Sequence, residues 1–210
     1  DTLATALADA SASPWSPAWT PTHTAWEGTE DEAEEGIGLL VQSAEGLDLD
    51  SVVYSVQGDL QRATAWARLP ASLGGITVYA VHLDHTDAAT RAAQARQTAV
   101  HAVVQTAPDL DVLLAGDFNA EPGTATHDAM LATGFLDLTA DLDAGRIDHV
   151  FVHRGADWRA TNATMLFDGT QGPVVSDHPG ALVELTRAEG EPTTVTTITA
   201  SFDAGWGAWM

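Results

Sequence analysis

A strand, a long helix and a second strand follow one another between residues 76 and 116, and this succession constrains the fold more than any other feature of the chain. Gly74-Gly75 turns into a mostly apolar run over 76 to 83. Asp87 to Thr106 is alanine-rich; Thr86 or Asp87 can cap it and Pro108 stops it, so it reads as a helix. Val112-Leu113-Leu114-Ala115 is short and wholly apolar, the pattern of a buried strand. Strand, helix, strand predicts an α/β unit. Directly behind comes Gly116-Asp117-Phe118-Asn119-Ala120-Glu121-Pro122, which reads as the turn where the strand emerges. Asp117 and Asn119 are one residue apart, so alternation along an extended backbone sends both side chains the same way. An acid and an amide so placed suit a hard divalent cation, or a water and phosphate oxygen beside one. An Asx-turn that merely closes the strand is the plainer alternative.

Three further clusters sit at strand edges. Val78-Tyr79-Ala80-Val81-His82-Leu83-Asp84-His85 ends a strand in imidazole and carboxylate. Arg146-Ile147-Asp148-His149-Val150-Phe151-Val152 places an acid at the head of another, and Ser176-Asp177-His178-Pro179 precedes Ala181-Leu182-Val183-Glu184-Leu185. In the order His-Leu, Gly-Asp-x-Asn, Arg-Ile-Asp, Ser-Asp-His, across roughly residues 36 to 187, the chain resembles the endonuclease/exonuclease/phosphatase superfamily of deoxyribonuclease-like phosphoesterases. Each motif is weak singly; the four in this order are specific.

The resemblance implies an α/β sandwich: two mixed, mostly antiparallel sheets packed face to face, with helices outside. It implies that His178 is a general base or transition-state hydrogen-bonding group held in its tautomer by Asp148. Asp117 would align or deprotonate the water, Asn119 would contact the phosphate or help seat the metal, and His82 would donate to a non-bridging oxygen. Asp177, Asp117 and Asn119 would seat the cation, Asp177 directly or through water. Oxygen ligands without thiolate point to Mg²⁺, with Mn²⁺ or Ca²⁺ as substitutes. The superfamily also has a strand carrying an Asn and a strand ending in Gln-Glu whose Glu ligates metal. Neither is found from Asp1 onward, so the reading expects a domain lacking its first strands, with weakened metal affinity. The implied activity is metal-dependent hydrolysis of phosphate esters, of a phosphodiesterase or nuclease-like kind. A small-molecule or lipid phosphoesterase, and a non-catalytic binding or scaffold module derived from the family, are the alternatives. Nucleic acid, phospholipid and small phosphoesters are all open as substrates, since one fold serves many chemistries.

Charge bears on that choice. Thirty acids face eight basic residues for a net −22, and all eight are arginines. A nucleic-acid binder usually presents a basic stripe, so this balance argues against tight nonspecific DNA binding. Most of the acids read as a solubilising surface. At 210 residues one main domain is expected. No apolar stretch nears the ~20 residues that span a bilayer, and Asp1-Thr2-Leu3 opens no basic-then-apolar leader. The absence of cysteine excludes disulfides and thiolate metal sites; with seven tryptophans and a Thr-rich tail it suits an extracellular protein.

Elsewhere, residues 1–10 read as a short helix and Ser11 to Pro21, with three prolines, as an extended loop anchored by Trp15 and Trp19. Glu27 to Glu35 reads as a solvated acidic loop. Strands are expected at 37–42, 51–56, 63–69, 147–153 and 181–186, and a helix at 126–133. Arg62 reads as a salt-bridge partner for the acidic loop or as a phosphate contact, and Asp84 as a turn cap or a functional acid. His23, His101, His127, His149 and His153 read as surface or packing residues. The family-like domain is drawn over 1–188 and a linker over 189–192. Residues 193–210 would open a β-rich module in which Trp206 and Trp209 pack or line a sugar-binding face.

Overall fold

Helix α2, Ala88–Thr106, forms where composition places it. The Asp87 carboxylate accepts the Thr90 N–H at 2.7 Å, and the helix ends at Ala107, before Pro108. Its inner face is built of small residues, among them Ala95, Thr98, Ala99 and Ala102, which let the helix lie close on a sheet. In the computed structural model, residues 2–25, 27–30, 32–43, 45, 47–170, 177–187 and 195–199 are described. The remaining elements are α1 (Thr2–Ser11), β1 (Ser16–Ala25), β2 (Ala33–Val41), β3 (Asp50–Val53), β4 (Ala63–Arg68), β5 (Thr77–His82), β6 (Val112–Asp117), α3 (Ala125–Ala132), β7 (Phe135–Asp137), β8 (Asp148–His153), β9 (Trp158–Leu166), β10 (Gly180–Arg187) and β11 (Val195–Thr199).

One sheet has six strands in the order β3-β4-β5-β6-β8-β7, parallel only at β5–β6, where α2 makes the crossover. Its outer face packs on α2 and α3 through Tyr79, Val81, Leu114, Phe151 and Met130. Its inner face carries the alternate residues. Val78, Leu113, Val150 and Val152 pack with Trp158 of β9 and with Val183 and Leu185 of β10, while Ala65 and Ala80 pack under Ile37 of β2. The second layer is thus made of the hairpin β1–β2 and the antiparallel sheet β11-β10-β9, which share no ladder among the described residues. The fold is the expected two-layer α/β sandwich of mixed strands with helices outside.

Several expectations change. Residues 16–25 form a strand despite Pro17 and Pro21, because β1 pairs on one side only and its register slips between Pro21 and His23. The acidic stretch is a loop only in part: Ala33 to Glu35 open β2, and Glu35 pairs with His23 at 3.1 Å. The strand at 112 runs on through Gly116 and Asp117, so these two residues lie in the ladder and not in a turn. β7 and β9 carry no clear periodicity in sequence. The linker 189–192, Trp206, Trp209 and Ser176 lie outside the described residues, and Val195–Thr199 pairs with β10. No described helix is long and apolar enough to cross a membrane.

Candidate active site

The site follows from strand parity. His82 has the parity of Val78 and Ala80, Asp117 that of Leu113 and Ala115, and Asp148 that of Val150 and Val152, so all three face the interior of the sandwich. The ladder then sets them side by side, with His82 opposite Asp117 across β5–β6 and Asp117 opposite Asp148 across β6–β8. Close approach of β5 and β6 requires Gly116, whose φ is +141° and where a Cβ would overlap the Val81 carbonyl oxygen. His178, two residues before β10, comes from the second layer. Its Nε2 lies 3.5 Å from Asp148 Oδ1 and 3.7 Å from Asp117 Oδ2, and its Nδ1 is 2.9 Å from Asp177 Oδ1. His82 Nε2 lies 3.7 Å from the same Asp117 oxygen.

Asn119 closes the site beyond β6. Its backbone, at φ +49°, turns so that its N–H donates to Asp117 Oδ1 at 2.6 Å, and its Nδ2 donates to the Leu83 carbonyl at 3.1 Å. These bonds tie the end of β6 to the end of β5. The structure thus brings His82, Asp117, Asn119, Asp148 and His178 together. Asp177 stands at the rim, its side chain 58% exposed, against the far nitrogen of His178.

Electrostatics follow from the burial. Asp117 and Asp148 are 2% and 0% exposed, and two neighbouring carboxylates in a dry site call for a cation. The His178 pKa is raised to about 9, chiefly by its hydrogen bond to Asp148; burial opposes this, and the charges of Asp117, Asp148 and Asp177 add to it. The His82 pKa falls to about 3, first through burial and then through the nearby Arg62 charge. One ring is therefore poised to carry a proton and its neighbour to stay neutral. Donor atoms of Asp117, Asp148 and His178 all lie within 4.8 Å of one another. The two hard carboxylate oxygens fit a divalent cation, while a His178 ring that carries a proton stands beside it as a donor and not as a ligand.

Some residues take other places than the sequence implied. Arg62 is buried and makes no ion pair with the acidic loop among the described residues; its Nη1 sits 3.0 Å from His82 Nδ1. Asp84 caps a turn, its Oδ1 accepting from Thr86 and Asp87. On the other face of β8, His149 belongs to a buried knot that sequence reading missed. Asp137 Oδ2 accepts from Arg146 Nη2 at 2.6 Å and lies 3.1 Å from both His127 Nε2 and His149 Nδ1. His149 Nε2 donates to the Ala120 carbonyl at 2.8 Å, linking the knot to the loop behind Asp117. Burial would raise the Asp137 pKa, but hydrogen bonds from His149 and Thr139 outweigh it and hold the carboxyl well below the usual range. Although its donors are close enough to hold an ion, this second group does not fit one. The Arg146 guanidinium occupies the carboxylate, and His127 Nδ1 accepts from the Gly123 N–H, which leaves Nε2 as a donor. The only sequence signal for the knot was alternation, which sends His149 to the face opposite Asp148.

The sequence matches the Endonuclease/Exonuclease/phosphatase family over residues 4–178, and the chain belongs to that family. No curated protein matches it. Among solved structures it is similar to an endonuclease/exonuclease/phosphatase family protein from Leptotrichia buccalis, at 16% identity and TM-score 0.64, over 88% of this chain and 76% of that one. It is similar to the human Nocturnin catalytic domain with bound sulfate, at 15% identity and TM-score 0.60, over 89% and 76%. It is also similar to a mannosyl-6-phosphatase from Bacteroides thetaiotaomicron, at 15% identity and TM-score 0.54, over 71% and 67%. At such identities the likeness is one of fold.

Proposed function

We propose that the chain hydrolyses phosphate esters with the help of a divalent cation, Mg²⁺ in the first place, and that phosphodiesters are its substrates. The observation that carries this reading is the convergence of two buried carboxylates, Asp117 and Asp148, with His82 and His178 at one end of the sandwich. In this reading Asp117 and Asn119 seat the cation, and Asp148, whose carboxylate oxygen lies with that of Asp117 beside the His178 ring, joins them; Asp177, across that ring, reaches the cation through water. A bound cation there supplies charge to polarise the phosphoryl group. His82 donates a hydrogen bond to a non-bridging oxygen. Asp117 aligns the attacking water and takes its proton. His178, paired with Asp148 and Asp177, carries a proton and donates a hydrogen bond to the charge that develops on the phosphoryl oxygens. The sulfate bound to Nocturnin and the sugar phosphate named for the Bacteroides enzyme belong to those proteins; both are compatible with an oxyanion site on this fold.

A small or lipid phosphoester is the second reading, and the distribution of arginine favours it over nucleic acid. Of the eight arginines, Arg62 and Arg146 are buried and Arg187 is paired with Asp111, which leaves five against thirty acids to follow a phosphate backbone. An extracellular setting, proposed from composition, accords with either. The experiment is hydrolysis of bis-p-nitrophenyl phosphate, sphingomyelin and single-stranded DNA side by side, with EDTA and with Mg²⁺ or Mn²⁺ restored. Metal-dependent turnover of any one supports the reading and selects the substrate class. Failure on all three, with metal present, would favour the binding module.

A further inference from the structure

We propose that Arg62 is a positioning residue that fixes His82 as its Nε2–H tautomer, so that the ring presents a donor to the site and never a lone pair. The argument rests on hydrogen-bond inventory. A guanidinium has five N–H donors and no acceptor, so the His82 Nδ1 that sits 3.0 Å from Arg62 Nη1 must be the lone-pair nitrogen. A neutral imidazole with a lone pair at Nδ1 carries its hydrogen at Nε2. That nitrogen faces the site, 3.7 Å from Asp117 Oδ2. Protonating Nδ1 instead would set an N–H against a buried cation, so the contact also disfavours the imidazolium.

Arg62 is held firmly enough to impose this choice. It is 5% exposed and stands immediately before β4, next to β5 in the sheet. The side chain of Gln57 clamps its backbone from both directions: Gln57 Oε1 accepts the Arg62 N–H at 2.8 Å, and Gln57 Nε2 donates to the Arg62 carbonyl at 2.9 Å. Gln57 Nε2 also donates to the Tyr54 carbonyl at 2.9 Å, fixing the clamp to the start of the loop. Among the described residues no carboxylate lies within ion-pair distance of the guanidinium to draw it off His82. Neutral donors of this kind act on charge that grows in the transition state without adding a proton that could leak. The catalytic use of the donor rests on the phosphoesterase reading above; the tautomer does not.

The two are separated by one pair of measurements. In ¹⁵N-labelled protein, two-bond ¹H–¹⁵N spectra distinguish a protonated ring nitrogen from a lone-pair nitrogen, and the His82 signals are identified by their loss in His82→Gln. Near neutral pH the wild type is expected to show the Nε2–H form. Arg62→Met, which keeps an unbranched apolar stem but has no donor, should yield a mixture of tautomers. Arg62→Lys, which restores a donor, should recover the Nε2–H form at least in part. Turnover of the phosphodiester by Arg62→Met should fall about 10²-fold in kcat with little change in KM, the lower range for loss of one positioned hydrogen-bond donor to developing charge. A wild-type His82 carrying its hydrogen at Nδ1, or as imidazolium, overturns the proposal even if Arg62→Met does not fold. So does an unchanged Nε2–H population in a folded Arg62→Met. An inactive wild type with an Arg62-dependent Nε2–H form would sustain the positioning role and count against the phosphoesterase reading alone.

Discussion

Gly116→Ala tests whether the site is made by the close parallel pairing of β5 and β6. Gly116 has φ +141°, a conformation in which an L side chain costs about 1–3 kcal/mol. The added methyl would also overlap the Val81 carbonyl oxygen, which belongs to the neighbouring ladder and cannot swing aside as a side chain could. Relieving that overlap means moving a core strand, which costs about another 1–3 kcal/mol. The sum centres on about 4 kcal/mol. For a chain of this size about 2–4 °C of Tm follows each kcal/mol, so the melt should fall by about 8–16 °C. The chemistry should fail as well, because the displaced strands carry His82 and Asp117 in register. Thermal denaturation by circular dichroism, with phosphodiester turnover measured well below the melt, reads both. A variant melting within about 3 °C of wild type, with normal turnover, would refute the close-pairing argument.

Asp137→Asn should destabilise by about 3–5 kcal/mol, since it leaves the buried Arg146 without its charged partner; urea midpoints measure this. Because the folded Asp137 pKa is depressed, its contribution is present above the ordinary carboxylate pKa and is lost as pH falls through the folded value. The wild type should therefore lose stability in acid more steeply than Asp137→Asn, which comparing unfolding midpoints at neutral and acidic pH will show. In EDTA-treated protein His178 should titrate near pH 9 by NMR, with Asp148→Asn shifting it downward. As a raised histidine pKa, its stabilising share is complete below its ordinary pKa and disappears as pH rises through about 9. Added Mg²⁺ should lower that pKa, and an unmoved titration would place the cation elsewhere.

The elements legible in sequence were those whose signals are local. The cap at Asp87, the alanine face of α2 and the apolar β6 needed no tertiary information. The site was legible because each motif stands at a strand end, and period-two alternation aims His82, Asp117 and Asp148 inward. What stayed hidden depends on long-range pairing. β1 contains prolines that a propensity reading treats as breakers, and it survives as a strand with a single partner and a bulge. β7 is three residues long and gains its identity from β8. Arg62 and Asp137 give no motif: one is recognisable only when β4 lies beside β5, the other only when β7, β8 and α3 meet. The glycine of Gly-Asp-x-Asn was visible, but its reason was not. It is required by the Val81 carbonyl across the ladder, not by a turn.

Asp117, Asp148 and His178 stand or fall together as one proposed metal-assisted phosphoester-hydrolysing site. Its most direct test is the Mg²⁺-dependent turnover of bis-p-nitrophenyl phosphate by wild type, Asp117→Ala and His178→Ala, with folding of each checked by its melt. Turnover that EDTA abolishes is expected, with a loss in kcat/KM on the order of 10²-fold or more in each variant. Wild-type rates in either variant, or turnover indifferent to EDTA, would contradict it.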